Sequence, residues 1–218
     1  MRAILIDWLV DIHIKFNLLP ETFYLAINLL DRALEKITVT KSKLQLVGIT
    51  SMFIAAKYQE IYPPDLKDFI HVTDKAYTKE DILDMEGKIL CLLNFKLTIP
   101  SALCFLERYS KIVGMDQKAF YLCQYLIELA LLDYRMLKYR PSLLVCGAIQ
   151  FTHRVFKRQA SEEALYKTTG YNDQMVKLCA KDLFLTVKTI ERSTLKALKR
   201  KFLASKYMEV SNIPIETF

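Results

Sequence analysis

Two charged residues interrupt segments that are otherwise apolar, and they are the first place to look for chemistry. Lys57 closes the run from Leu44 to Ala56, and Glu86 falls in the middle of the amphipathic segment 79–93. A charge at the margin of a core loses several kcal/mol of hydration unless it is paired. Either these two are partnered, or Lys57 stretches its stem to water and Glu86 is an ordinary helix carboxylate. Other chemistries lack their parts. His13, His71 and His153 stand in no H-E-x-x-H or Cys/His metal spacing, and the chain has no G-x-G-x-x-G, G-x-x-x-x-G-K-[ST] or G-x-S-x-G. No catalytic residue, metal ligand or cofactor is therefore expected. Cys91, Cys104, Cys123, Cys146 and Cys179 are odd in number and sit in apolar patterns, which reads as core thiols in a reducing intracellular compartment. The tail cations Lys196, Lys199, Arg200, Lys201 and Lys206 read as a solvated face, because no aromatic side chains of the base-stacking kind alternate with them.

The elements that would position these residues are helices. Apolar residues recur at three and four positions, and only 5 Gly and 6 Pro break the pattern in 218 residues. The periodicity predicts helices at about 1–17, 21–36, 41–60, 64–72 and 79–93, then 101–113, 116–133, 141–158, 161–168 and 172–190, with a basic helical tail at 193–207. Pro20, Thr40, Pro63-Pro64, Thr78, Pro100-Ser101, Gly114, Pro141-Ser142, Ser161 and Gly170 punctuate them. Both halves run in one order: two amphipathic helices, one apolar almost all round, one short, one long. This predicts an all-α chain of two tandem five-helix repeats, 1–98 and 99–218, the second carrying the tail. No stretch is apolar enough to span a membrane, and the formal net charge of +7 reads as a solvated surface with some bias toward an acidic partner.

The first helix carries two apolar stripes. Met1, Ile4, Leu5 and Trp8 fall at i, i+3, i+4 and i+7, and Ala3, Ile6, Val10 and Ile14 lie on roughly the opposite side. One stripe can enter the core; the other is left to pack under another segment or to form a shallow surface groove. Asp11 is placed three residues past Trp8, where a carboxylate could hold an arginine. The apolar pattern is already running at Met1, so an upstream segment is expected and the first helix reads as truncated.

The opening Met1-Arg2-Ala3-Ile4-Leu5-Ile6-Asp7-Trp8-Leu9-Val10 resembles the start of the cyclin box in A- and B-type cyclins. The likeness continues through Leu19-Pro20-Glu21-Thr22, Lys43-Leu44-Gln45-Leu46, Ala55-Ala56-Lys57-Tyr58, Ile61-Tyr62-Pro63-Pro64, Tyr77-Thr78-Lys79 and Leu93-Asn94-Phe95. In the second half, Tyr109-Ser110-Lys111-Ile112, Leu132-Asp133-Tyr134 and Ser205-Lys206-Tyr207 resemble the mitotic B type. The resemblance implies two cyclin-box repeats and a regulatory, non-catalytic partner of a cyclin-dependent protein kinase in a heterodimer, acting in mitosis in the nucleus and cytoplasm. It implies that Lys57 and Glu86 hydrogen-bond the backbone of the kinase's mobile helix. Phe95 and Leu97 would insert beside them, flanked by Ile54, Tyr58 and Leu90, each of which could equally be core. Met1, Ile4, Leu5, Trp8, Asp11, Leu44, Gln45 and Asp74 would form a groove for Arg-x-Leu segments of substrates and inhibitors. Arg2 and Asp31 would form an internal ion pair. Gln59 and Gly87 depart from the charged or larger residues usual there. A DNA-associated adaptor of the transcription-initiation type, built from similar repeats, is the alternative. The motifs favour the cyclin reading, with neither nucleic acid nor membrane as partner.

Overall fold

The structure, a computed structural model, describes residues 1–158 and 163–215, and these residues are helical without strands. They fall into two compact units that divide between Ile99 and Pro100. In the first unit α1 (Arg2–Lys15), α2 (Pro20–Lys36), α3 (Leu44–Gln59), α4 (Leu66–His71) and α5 (Lys79–Leu92) follow in order. Every residue from Leu46 to Ala56 of α3 is buried, so this helix is the rod on which α2 and α5 pack. At Gly48 the Leu5 side chain of α1 leaves no room for a side chain: a Cβ there would come within 2.8 Å of Leu5 Cδ1.

Local chemistry sets the boundaries. Pro20 occupies the first position of α2, where its missing N–H costs nothing. The Glu60 carboxylate, just past α3, accepts from Leu19 N–H at 2.8 Å and from the Thr22 hydroxyl, capping α2 from outside. Thr78 and Asp81 form the reciprocal box that opens α5, with Asp81 N–H to Thr78 Oγ1 at 3.1 Å and Thr78 N–H to Asp81 Oδ2 at 2.9 Å. The expected helix over 41–60 is divided: Lys41–Lys43 form a tighter 3-10 turn before α3 begins.

The second unit repeats the order with α6 (Ala102–Ile112), α7 (Gln117–Leu132), α8 (Pro141–Val155), α9 (Glu163–Thr169) and α10 (Asp173–Glu191). The rod is α8, buried from Leu143 to His153 and packed on α6, α7 and α10. Its Gly147 matches Gly48 in role, since a Cβ there would meet Cys179 Sγ at 2.8 Å and Ala180 N at 3.2 Å. The expected helix start at Ser161 lies outside the described residues. A 3-10 segment, Tyr134–Lys138, joins α7 to α8.

The tail departs from expectation twice. It is not one helix but α11 (Ala197–Leu203) followed by 3-10 turns Ser205–Tyr207 and Val210–Asn212. The left-handed residues Met208 (φ 54°) and Glu209 (φ 53°) turn the chain there, and the Tyr207 ring packs tilted against Phe202 with ring centroids 4.6 Å apart. Nor is its charge run fully solvated. Lys201 Nζ lies 2.7 Å from Glu128 Oε2 with the two side chains 2% and 0% exposed. Gln124 supplies Glu128 with a further hydrogen bond of 3.0 Å.

Candidate functional site

The buried run of α3 stops at Ala56, and Lys57 is the first side chain to emerge. Ile82, Glu86 and Ile89, spaced i, i+4 and i+7 on α5, all point inward, which carries the Glu86 carboxylate to the end of α3. Glu86 Oε1 sits 2.5 Å from Lys57 Nζ, the side chains being 12% and 44% exposed. The ammonium also lies 4.3 Å over the Phe53 ring, a favourable place for a cation. The pair is a charge-assisted contact, and among the described residues the buried Glu86 Oε1 has no hydrogen-bond partner besides this ammonium.

An exposed apolar rim surrounds this pair. Tyr58 is half exposed, and its hydroxyl shares a short hydrogen bond with Thr98 Oγ1. That bond ties the end of α3 to the segment after α5. Helix α5 ends in a paired-carbonyl motif, with Asn94 N–H to Cys91 O at 3.0 Å and Phe95 N–H to Leu90 O at 2.9 Å. Asn94 (φ 50°) and Phe95 (φ 56°) are both left-handed, a conformation unusual for an aromatic residue. Its result is a Phe95 ring 67% exposed to solvent. Arg32 of α2 fixes the same segment by donating to Lys96 O at 2.7 Å. Leu90 and Leu97 are half-buried beside it. Ile54, offered by the sequence as core or contact, is core at 3% exposure. Sequence reasoning did not select Ile61 and Tyr62 as contacts, yet these are the most exposed large apolar residues of the unit, at 85% and 91%. The Pro63-Pro64 that follows was the available signal, since no helix runs into it and Ile61 and Tyr62 fall in a bend after α3.

The stripes of α1 are sorted by burial. Ile6, Leu9 and Val10 are fully buried, while Met1 and Ile4 stand out at 61% and 63%. Met1, Ile4, Leu5 and Trp8 face Lys41, Leu44 and Gln45 across a hollow of about 280 Å³. Leu5, pressed on Gly48, forms its floor. The turn opposite is held by Tyr77, whose hydroxyl donates to Ser42 O at 2.8 Å. Asp11 and Asp74 are not among the lining residues, whereas Lys41 is. Asp11 is half-buried on α1, and Asp74 is exposed in a left-handed turn at φ 53°. Arg2 and Asp31 are both half-buried, on α1 and α2. No metal-ligand cluster occurs among the described residues, and no described helix is long and apolar enough to cross a membrane.

Residues 1–98 match the cyclin N-terminal domain and residues 100–216 the cyclin C-terminal domain. The chain belongs to the cyclin family. Its relatives are of the mitotic B type: it is 41% identical to a G2/mitotic-specific cyclin-B of Dictyostelium discoideum over 100% of this chain and 50% of that protein. It is 43% identical to a G2/mitotic-specific cyclin-B2 of Oryzias javanicus, over 98% and 56%. The chain thus spans about half the length of the curated relatives it matches. In fold it is similar to a viral cyclin from herpesvirus saimiri, with TM-score 0.76 and 19% identity over 86% of this chain and 84% of that one. A chain of the yeast RNA polymerase II CTD kinase CTDK-1 complex gives TM-score 0.71 at 11% identity, over 100% and 70%. The expected mitotic B-type cyclin, all-α with two tandem repeats, is what these findings and the helices give.

Proposed function

We propose that this cyclin chain is the regulatory subunit of a cyclin-dependent protein kinase, without catalytic activity of its own, and that it acts in mitosis. The observation that supports this best is the Lys57–Glu86 pair, part-exposed at the end of α3 and set inside a rim of exposed apolar residues. Such a surface offers polar groups to the backbone of a kinase helix and apolar side chains to its flanks. Phe95 and Leu97 on one side and Tyr58 with Leu90 on the other would grip that helix, with Ile61 and Tyr62 extending the contact. A protein kinase works only when its strand lysine is paired with the glutamate of its αC helix. Holding that helix inward is a population shift. Moving a kinase from mostly inactive to mostly active takes about 5 kcal/mol of preference, within reach of an interface of ordinary size.

The hollow under Trp8 acts separately, as an anchorage for Arg-x-Leu segments of substrates and inhibitors that raises their local concentration. Its apolar walls take the leucine, and Asp11 and Asp74 attract the arginine from beyond the lining. Arg2 paired with Asp31 would lock α1 to α2.

The decisive test is the pair itself. Lys57→Glu combined with Glu86→Ala abolishes activation of a cyclin-dependent kinase, while circular dichroism and thermal melting stay near those of the parent chain. Full activation by the double variant would reject the reading; unfolding would assign the pair to structure.

A further inference from the structure

The hollow under Trp8 carries a charge that the proposed hold on an arginine does not use. Met1, Ile4, Leu5, Trp8 and Leu44 make its lining apolar, and the two polar members are Lys41 and Gln45. Lys41 stands in the 3-10 turn, and Leu44 and Gln45 open α3. At i, i+3 and i+4 the three project to one side and form one wall. The turn is fixed where Lys41 leaves it. Lys43 N–H donates to Thr40 O at 3.0 Å, the Thr40 and Ser42 hydroxyls lie 3.1 Å apart, and Tyr77 donates to Ser42 O at 2.8 Å.

The Lys41 side chain is exposed, and its ammonium makes no ion pair or hydrogen bond among the described residues. Lys43 differs, since it lies close enough to Asp81 to help keep that carboxyl ionised. Neither Asp11 nor Asp74 lines the hollow, so the charge at its wall is an unneutralised cation. Any leucine side chain could fill an apolar hollow; the charge beside it decides which leucine-bearing segments fit. An ammonium next to an apolar wall is screened less than one in open water, and it attracts an anion and repels a cation.

We propose that Lys41 makes this hollow select, among Arg-x-Leu segments, those that carry a carboxylate beside the leucine, and reject those with a basic residue there. The proposal rests on the reading of the hollow as an anchorage for such segments. The occupant is an extended peptide with its leucine in the hollow and an aspartate or glutamate against the wall of Lys41. Gln45, half-buried and without a hydrogen bond of its own among the described residues, stands next to it to bond the peptide's main chain.

The test measures, by fluorescence anisotropy on the full chain, one Arg-x-Leu peptide in which Glu, Gln or Lys occupies in turn the x position or either position after the leucine. The parent chain is compared with Lys41→Ala, Lys41→Glu and Trp8→Ala, each checked for its helices by circular dichroism. At one of these positions the Glu peptide is expected to bind the parent about two- to fivefold more tightly than the Gln peptide, and the Lys peptide more weakly than either. The advantage shrinks with added salt, vanishes in Lys41→Ala and passes to the Lys peptide in Lys41→Glu. The Gln peptide binds the parent and Lys41→Ala alike, which separates selection by charge from loss of the lysine stem. Equal binding of Glu and Gln peptides at every position, or a preference for Glu that survives Lys41→Glu, overturns the proposal. Docking itself then stands as long as the peptides bind and Trp8→Ala weakens them. If no peptide binds, or Trp8→Ala changes nothing, the reading of the hollow as an anchorage fails and the selection falls with it.

Discussion

At the scale of single residues, the glycines divide by what surrounds them. A Cβ on Gly87 would meet nothing within 4 Å, although the residue is inside α5. A helix-interior glycine costs about 1 kcal/mol relative to alanine, so Gly87→Ala raises stability in urea by about that amount. Gly147→Ala is expected to do the reverse, by about 1–3 kcal/mol, because backbone and Cys179 already crowd the site. The cysteines divide likewise. Cys91 and Cys104 are exposed and Cys123, Cys146 and Cys179 buried, and burial pushes the Cys123 and Cys179 thiols up to about 12. A maleimide should label the first pair quickly in the native protein and the other three only in denaturant; rapid loss of all five thiols would contradict the burial. Residue roles were the least legible part of the sequence. Lys201 stood in a run of tail cations and looked solvated, because its partner Glu128 is 73 positions away in the chain and no local pattern announces such a pairing. Ile54 was ambiguous for the same reason: its helix is apolar on every side, so periodicity assigns it no face.

Elements were more legible, since periodicity and caps are local. The Thr78 box and Pro20 appear where they were expected, and Thr78→Ala should cost about 1 kcal/mol in thermal or urea unfolding. What the pattern missed was turns that continue a helical direction in tighter form, at Lys41–Lys43 and Tyr134–Lys138, and the end of the tail helix at Ala204. Extra residues bury the tail: Tyr125 and Phe202 lie 5.2 Å apart, and Val210 is 1% exposed. The Lys201–Glu128 pair secures α11 to α7. Removing one member strands a buried charge, so Lys201→Met alone should cost about 3–5 kcal/mol, whereas Lys201→Met with Glu128→Leu should recover most of it. Equal loss in the single and double variants, measured by denaturant titration, would show that the pair itself contributes the stability.

For the molecule as a whole, acid is the informative variable. Asp81 is held below the usual carboxylate range by hydrogen bonds from Thr78, and Asp116 by Ala119 N–H and Arg158. Burial opposes ionisation of Asp133 and Asp182, but Arg135 with Thr186 and Lys138 with Tyr139 still bring both below it. Asp173 is lowered as well, chiefly by Lys177. A lowered carboxyl stabilises the fold fully above its unfolded value, about pH 4, and that contribution disappears as pH falls through the lowered value. Asp116, Asp133, Asp173 and Asp182 belong to the second unit, and of this group only Asp81 belongs to the first. Amide exchange at decreasing pH should therefore show the second repeat loosening first; simultaneous loss of protection would refute that ranking. The crowding of Leu5 on Gly48 has a different reach. One hydrogen atom on the central rod decides how deeply α1 sinks, and so how deep the cleft between Met1 and Gln45 becomes. Gly48→Ala would lift that floor by a few tenths of an ångström without altering a single wall residue. Descendants of this chain could thus retune what they hold there from a position no ligand ever touches.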